Sequence, residues 1–260
     1  MIKLTDLQHF LDNFLYYDQK LDIARIDPYL TNGLMVKGRD DVKKIGYAVS
    51  ASLALFENAN HAGCDAIVVH HSFNLPSNNQ FDSVFQNRIG YLIKQDISLF
   101  GYHFLLDSHP KVGNNVQLLK TIGAKPIKPY LHRGSPWGWT GELDEPVSIE
   151  SVESVLSSHL SKHTVLYPFG AKHIKRVVAV SGMGSPVPSV MHDLISQNID
   201  LFITGEVHEW NRELFREAKI HFLAGGHYNT ECFGIKALME YVKKKLPDVL
   251  VSWLDLPNEI

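Results

Sequence analysis

Two histidines, His70 and His71, stand side by side where an apolar run gives out in DAIVVHHSFN (65–74). Imidazole is the commonest side-chain ligand for divalent transition metals and the group that titrates nearest neutrality. Burying two imidazoles without partners is costly, so a pair at the end of a buried strand points toward ligation. Neighbouring residues of a continuing strand face opposite sides. Convergence of both rings on one place therefore predicts that the strand ends here and the chain turns.

Three further residues share this placement. Asp107, His227 and Glu231 fall at, or just after, the ends of apolar runs. One open metal site takes three or four protein ligands and leaves room for water. Three imidazoles and two carboxylates exceed one such site and suit two ions about 3.5–4 Å apart with a shared carboxylate. His103 and Glu206 lie at equivalent points and are candidates for moving protons. His103 has competing readings, as a residue that orients a ligand or touches substrate and as an ordinary structural histidine. For Glu206 and Thr204 the competing reading is a helix cap. His109, His208 and His221 have only their position in favour of a role. Cys64 precedes an apolar strand and is expected to be buried and inert, and the role of Cys232 is open.

Such ligands need strand ends to hold them, and the pattern of the chain supplies these. Strands are expected at 42–50, 65–69, 97–103, 173–182, 200–204 and 220–227. Helices are expected from Ser52, as a cap, to about Ala62, then at 81–96, 114–123, 149–160, 189–198, 210–218 and 231–245. Alternation of strands and helices predicts α/β architecture with a parallel sheet. The series occurs twice. DAIVVHH aligns without a gap on DLFITGE, and ISLFGYHFLLD aligns on HFLAGGHYNTE, so that His103 matches His227 and Asp107 matches Glu231. Two similar βαβαβ half-domains from internal duplication are the expectation. The first half would occupy 1–124 and the second 171–260. The stretch 125–170, rich in proline, glycine and tryptophan, would form a connecting subregion.

Composition removes several function classes. With 25 basic and 28 acidic residues the net charge is −3, which gives no general attraction to nucleic acid. No apolar run approaches the roughly 20 residues needed to span a bilayer, and the N-terminus does not read as a signal peptide. Two cysteines without CxxC spacing suit a reducing, cytoplasmic setting. There is no P-loop and no GxSxG elbow. The turn SGMGS (181–185) resembles a phosphate cradle but reads better as a tight strand-to-helix turn.

Together NGLMVKG (32–38), DAIVVHHS (65–72), GYHFLLDSHPKVGNN (101–115), DLFITGEVHE (200–209) and AGGHYNTECFGIKAL (224–238) resemble the Nif-three-like family, in order and over nearly the whole chain. The length corresponds to its short bacterial form, whose members carry the label GTP cyclohydrolase 1 type 2 homologue. The resemblance implies a two-part α/β fold, a homohexameric ring with sites facing an internal cavity, and two divalent ions per subunit. It places His71 and Asp107 on one ion, His70 and His227 on the other, and Glu231 between them. Mixed imidazole and carboxylate ligands suit Zn, Fe, Mn and Co alike. The reaction implied opens the imidazole ring of GTP and releases formate, with a metal-activated water as nucleophile and Glu206 or His103 moving protons. The alternative is a non-enzymatic ring that holds or delivers metal, or a scaffold for partners. A small-molecule substrate, a nucleotide among the possibilities, is the expected ligand. The chain departs from the family pattern at SFNLPSNN (72–79), at the methionine of SGMGS and at Phe233.

Overall fold

The structure, a computed structural model, describes residues 1–74 and 80–258. Residues 75–79, within the departing SFNLPSNN stretch, lie outside the described residues. The chain forms two compact units, one built from Met1–His109 and Ile235–Leu256, the other chiefly from Pro110–Gly234.

The first unit carries a five-stranded sheet in the order Leu250–Trp253, Lys44–Ser50, Ala66–His71, Ser98–Tyr102, Asn32–Val36. The first four strands are parallel and Asn32–Val36 runs antiparallel at the edge. Ala66–Val69 is wholly buried, as a parallel strand covered on both faces requires. Helix Leu53–His61 starts at Ser52, whose hydroxyl accepts from Leu55 N at 3.1 Å. Helix Ser83–Gln95 starts at Asp82, which accepts from Phe85 N at 2.8 Å. Each cap satisfies a backbone donor that the helix itself leaves open. Leu55, Phe56, Ile67, Val69, Leu92 and Leu99 form the core between these elements. Helix Leu4–Leu15 buries Leu4, Leu7, Leu11 and Leu15, an apolar stripe at helical spacing.

The second unit repeats the parallel core and frames it differently. Its six strands run in the order Lys125–His132, Ser135–Val147, Ile174–Val180, Leu201–Thr204, His221–Ala224, Val165–Tyr167. The three strands from Ile174 to Ala224 are parallel, with antiparallel neighbours on both sides. Phe202, Phe215, Phe222 and Leu194 fill one core cluster, and Val177, Leu201, Ile203 and Leu223 another.

The stretch 125–170 is therefore not a connecting subregion. Its long hairpin turns at Arg133 and Gly134, both at positive φ (51° and 77°), and pairs directly with Ile174–Val180. The prolines that suggested loops, Pro126 and Pro129, lie on the edge strand, where a missing N–H costs least. The expected halves also shift. Helix Asn114–Thr121 belongs to the second unit, and the strand Leu250–Trp253 to the first. The helix expected at 189–198 opens with a 3₁₀ turn, Pro188–Val190, and is itself shorter, Met191–Ser196.

Candidate metal centre

In the first unit the strand does not end before the histidines. Both belong to Ala66–His71, and His71 is its last residue. The rings nevertheless lie close, with centroids 4.6 Å apart. His70 is fully buried, and its Nδ1 donates to the Tyr102 carbonyl at 3.1 Å. The Nδ1 of His71 is hydrogen-bonded to Ser50 Oγ at 3.0 Å, across the register pair Ser50–His71 of the two neighbouring strands.

His103 completes the group. It follows the strand Ser98–Tyr102 and opens the one-turn helix Phe104–Ser108. Its ring centroid lies 4.9 Å from that of His70 and 5.4 Å from that of His71. Ligand atoms of all three histidines fall within 4.8 Å of one another. The short helix turns Asp107 back to the same place, its Oδ1 3.6 Å from His70 Nε2, and the carboxylate is buried. The strand ends and this single turn thus gather three imidazoles and a carboxylate.

The supports of this group were not singled out from sequence. Asp27 Oδ2 accepts from His103 Nδ1 at 2.9 Å, Asn32 Nδ2 at 3.0 Å and Phe104 N at 3.1 Å. Burial raises the Asp27 pKa, but the hydrogen bond and charge of His103, with Asn32 and Phe104 N, override it, and the net direction is down. Asn32 Oδ1 accepts from His103 N and Leu105 N. Asn32 lies within NGLMVKG, one of the stretches that carry the family resemblance. Asp27 gave no signal, being 76 residues from its partner and one of several acids near the N-terminus.

The final helix, His227–Lys245, begins four residues earlier than its spacing suggests. His227 and Glu231 are consequently an i, i+4 pair on one helical face, with His227 Nε2 3.1 Å from Glu231 Oε1. His227 Nδ1 donates to Glu206 Oε1 at 2.6 Å. Burial pushes the His227 pKa down, but hydrogen bonds and charge from Glu231 and Glu206 reverse this and raise it to about 9. Glu206 is not a helix cap, since the next helix begins at Asn211, and the Thr204 hydroxyl reaches the Gly182 carbonyl at 3.4 Å.

SGMGS is a tight turn, as expected, with a further use. Gly182, at φ +56°, packs against the two ligand candidates. A Cβ there would collide with Glu231 Oε1 and sit 3.1 Å from His227 Nε2. Glu206 also lines an open cleft of about 400 Å³, together with Ser161, His163, Val165, Val207 and Ala224.

The three histidines singled out by position alone make other contacts. His109 is buried, donates from Nε2 to the Phe14 carbonyl at 3.0 Å and packs on Phe14 and Tyr17. His221 accepts from Gly170 N and donates to the Ala171 carbonyl. His208 stacks on Trp210. Among the described residues no metal-capable cluster includes these three or either cysteine. Burial raises the Cys64 pKa, in keeping with an inert thiol. Phe233 packs against the core of the second unit.

The donor set fits divalent metal. Imidazoles and carboxylates on strand ends and a helix face are ligands for Zn, Fe, Mn or Co, and their ring nitrogens are oriented by a carbonyl, a hydroxyl and carboxylates, the usual supports of ligating histidines.

Comparison with known proteins gives matches along nearly the whole chain. The model of the family described as Duf34/NIF3 (NGG1p interacting factor 3) matches residues 3–257. A protein of Archaeoglobus fulgidus named GTP cyclohydrolase 1 type 2 homolog is 32% identical over 260 residues, covering 100% of both chains. One of the same name from Escherichia coli K12 is 34% identical over 262 residues, covering 99% of both. The solved structure of the protein ybgI, described as of unknown function, superposes with a TM-score of 0.85 at 33% identity over 100% of both chains. TTHA1606 from Thermus thermophilus superposes with a TM-score of 0.83 at 27% identity, again over 100% of both.

Proposed function

Because the chain belongs to the Duf34/NIF3 family, we propose that it is a dinuclear divalent-metal-dependent hydrolase, acting on a nucleotide in the way the relatives' name states. The observation that carries this reading is the gathering of His70, His71, His103 and Asp107 at strand ends, with Nδ1 of each imidazole already held by another group. His70, His71, Asp107, His227 and Glu231 are the proposed ligands of two ions. Bound there, divalent ions supply Lewis acidity and a water acidic enough to be a nucleophile at neutral pH.

The remaining groups do the positioning and proton work. Tyr102 O, Ser50 Oγ and Glu206 hold the Nδ1 atoms of His70, His71 and His227, so that Nε2 is the ligating nitrogen of each. His103 is the proposed proton carrier, through Nε2. Glu206 accepts from His227 and lines the cleft, from where its carboxylate can take a proton from the attacking water and pass it on to a leaving nitrogen. For GTP the reaction is hydrolytic opening of the imidazole ring of guanine, with loss of one carbon as formate.

Turnover tests it. Protein loaded with Zn, Mn, Fe or Co and incubated with GTP is expected to release formate, and metal-free protein is expected to release none. Binding of GTP without formate or phosphate release under every metal would refute the hydrolase reading and favour a metal-holding protein.

A further inference from the structure

We propose that Asp27 is a positioning residue for His103, holding the ring as its Nδ1–H tautomer and so making Nε2 the nitrogen that His103 brings to the cluster with His70 and His71. The role proposed for His103, proton transfer, rests on the hydrolase reading; the tautomer does not.

The grip on His103 is built from both ends. A single oxygen of Asp27, Oδ2, takes three donors: His103 Nδ1, Asn32 Nδ2 and Phe104 N. Its side chain is only 4% exposed. A carboxylate has no proton to donate at neutral pH, so the contact at 2.9 Å requires a hydrogen on His103 Nδ1. Asn32 then fastens the backbone on either side, accepting from His103 N and Leu105 N while donating to Asp27. The Asp27 backbone is itself anchored, with its N–H donating to the Ile23 carbonyl at 2.8 Å. Ring and main chain of His103 are thereby tied to one segment, residues 27–32.

A plainer role exists for the same carboxylate, as a cap on Phe104 N at the start of the one-turn helix. That role needs one acceptor and no ring contact. It does not explain why the same oxygen also accepts from the imidazole nitrogen, nor why the ring lies against His70 and His71. In a site where proton transfer occurs at Nε2, a fixed tautomer keeps that nitrogen basic and a nearby carboxylate stabilises the imidazolium formed on protonation.

Long-range ¹H–¹⁵N correlation spectra of metal-free, ¹⁵N-histidine-labelled protein test this, at a pH where the imidazoles are neutral. His103, assigned by comparison with His103→Gln, is expected to show the Nδ1–H pattern in the wild type. Asp27→Ala is expected to lose that pattern and show the Nε2–H form, whereas Asp27→Asn, which keeps an acceptor oxygen, is expected to retain it. An Nε2–H pattern for His103 in the wild type would overturn the proposal, and needs no variant to fold. An unchanged Nδ1–H pattern in a folded Asp27→Ala would overturn it as well, leaving Asp27 as a cap. With the expected tautomers in hand, absence of GTP turnover would refute the hydrolase reading alone.

Discussion

Nδ1 of His70, His71, His103 and His227 is committed to a carbonyl, a hydroxyl or a carboxylate. The residue types were legible in the sequence because His70–His71 and the recurring His-x-x-x-carboxylate ending are local patterns. Their supports were not, because Asp27, Ser50 and the Tyr102 carbonyl meet the rings only through the fold. Two predictions belong at this scale. Gly182→Ala places a methyl where Glu231 Oε1 sits and an L-residue at φ +56°. It is expected to cost about 1–2 kcal/mol of stability from the backbone alone and to weaken metal binding, measured by denaturant titration and by zinc competition with a chelator. His132 is buried, and burial followed by the neighbouring Arg133 charge lowers its pKa to about 4. The unfolded chain then binds a proton below about pH 6.5 that the folded chain refuses until about pH 4. Stability should therefore fall as pH drops through that window. A folded His132→Gln should flatten the fall, and an unchanged pH profile of unfolding would contradict the assignment.

A lone serine before a clear apolar period makes one helix start legible in the sequence, at Ser52. Asp82 plays the same part for Ser83–Gln95, and Asp82→Ala is expected to lower stability by about 1 kcal/mol; thermal unfolding that is unmoved would show that this helix end does not depend on its cap. Errors arose where local chemistry misleads. Pro126 and Pro129 read as loop but sit on a sheet edge. Gly225, Gly226 and His227 read as the end of a strand, whereas the strand stops at Ala224 and the helix already begins at His227. That earlier start matters chemically, because helical geometry rather than a loop sets the His227–Glu231 spacing. The one-turn helix Phe104–Ser108 was too short to show a period, yet it aims Asp107.

At the level of the whole chain, each unit contains three adjacent parallel strands separated by helices, the βαβαβ series that the two aligned halves suggested. What surrounds that series differs, so the unit boundaries were not legible: an edge strand from the C-terminus completes one sheet, and the 125–147 hairpin completes the other. Among the described residues no helix is long and apolar enough to cross a membrane. Both cysteines are free thiols, and reductant is expected to leave the melting temperature unchanged. A homohexamer is expected from the family, and light scattering showing a stable monomer at micromolar concentration would contradict it. The central proposal is that one chain holds two divalent ions. Its most direct test is elemental analysis after zinc loading and dialysis, on wild type, Asp107→Asn and Glu231→Gln together. Two ions per chain are expected in the wild type, a selective loss of one in Asp107→Asn, and a fall toward none in Glu231→Gln, since the resemblance puts Glu231 between the ions, where a carboxylate would offset the repulsion of two dications. Two ions per chain in a folded Glu231→Gln would contradict the dinuclear centre.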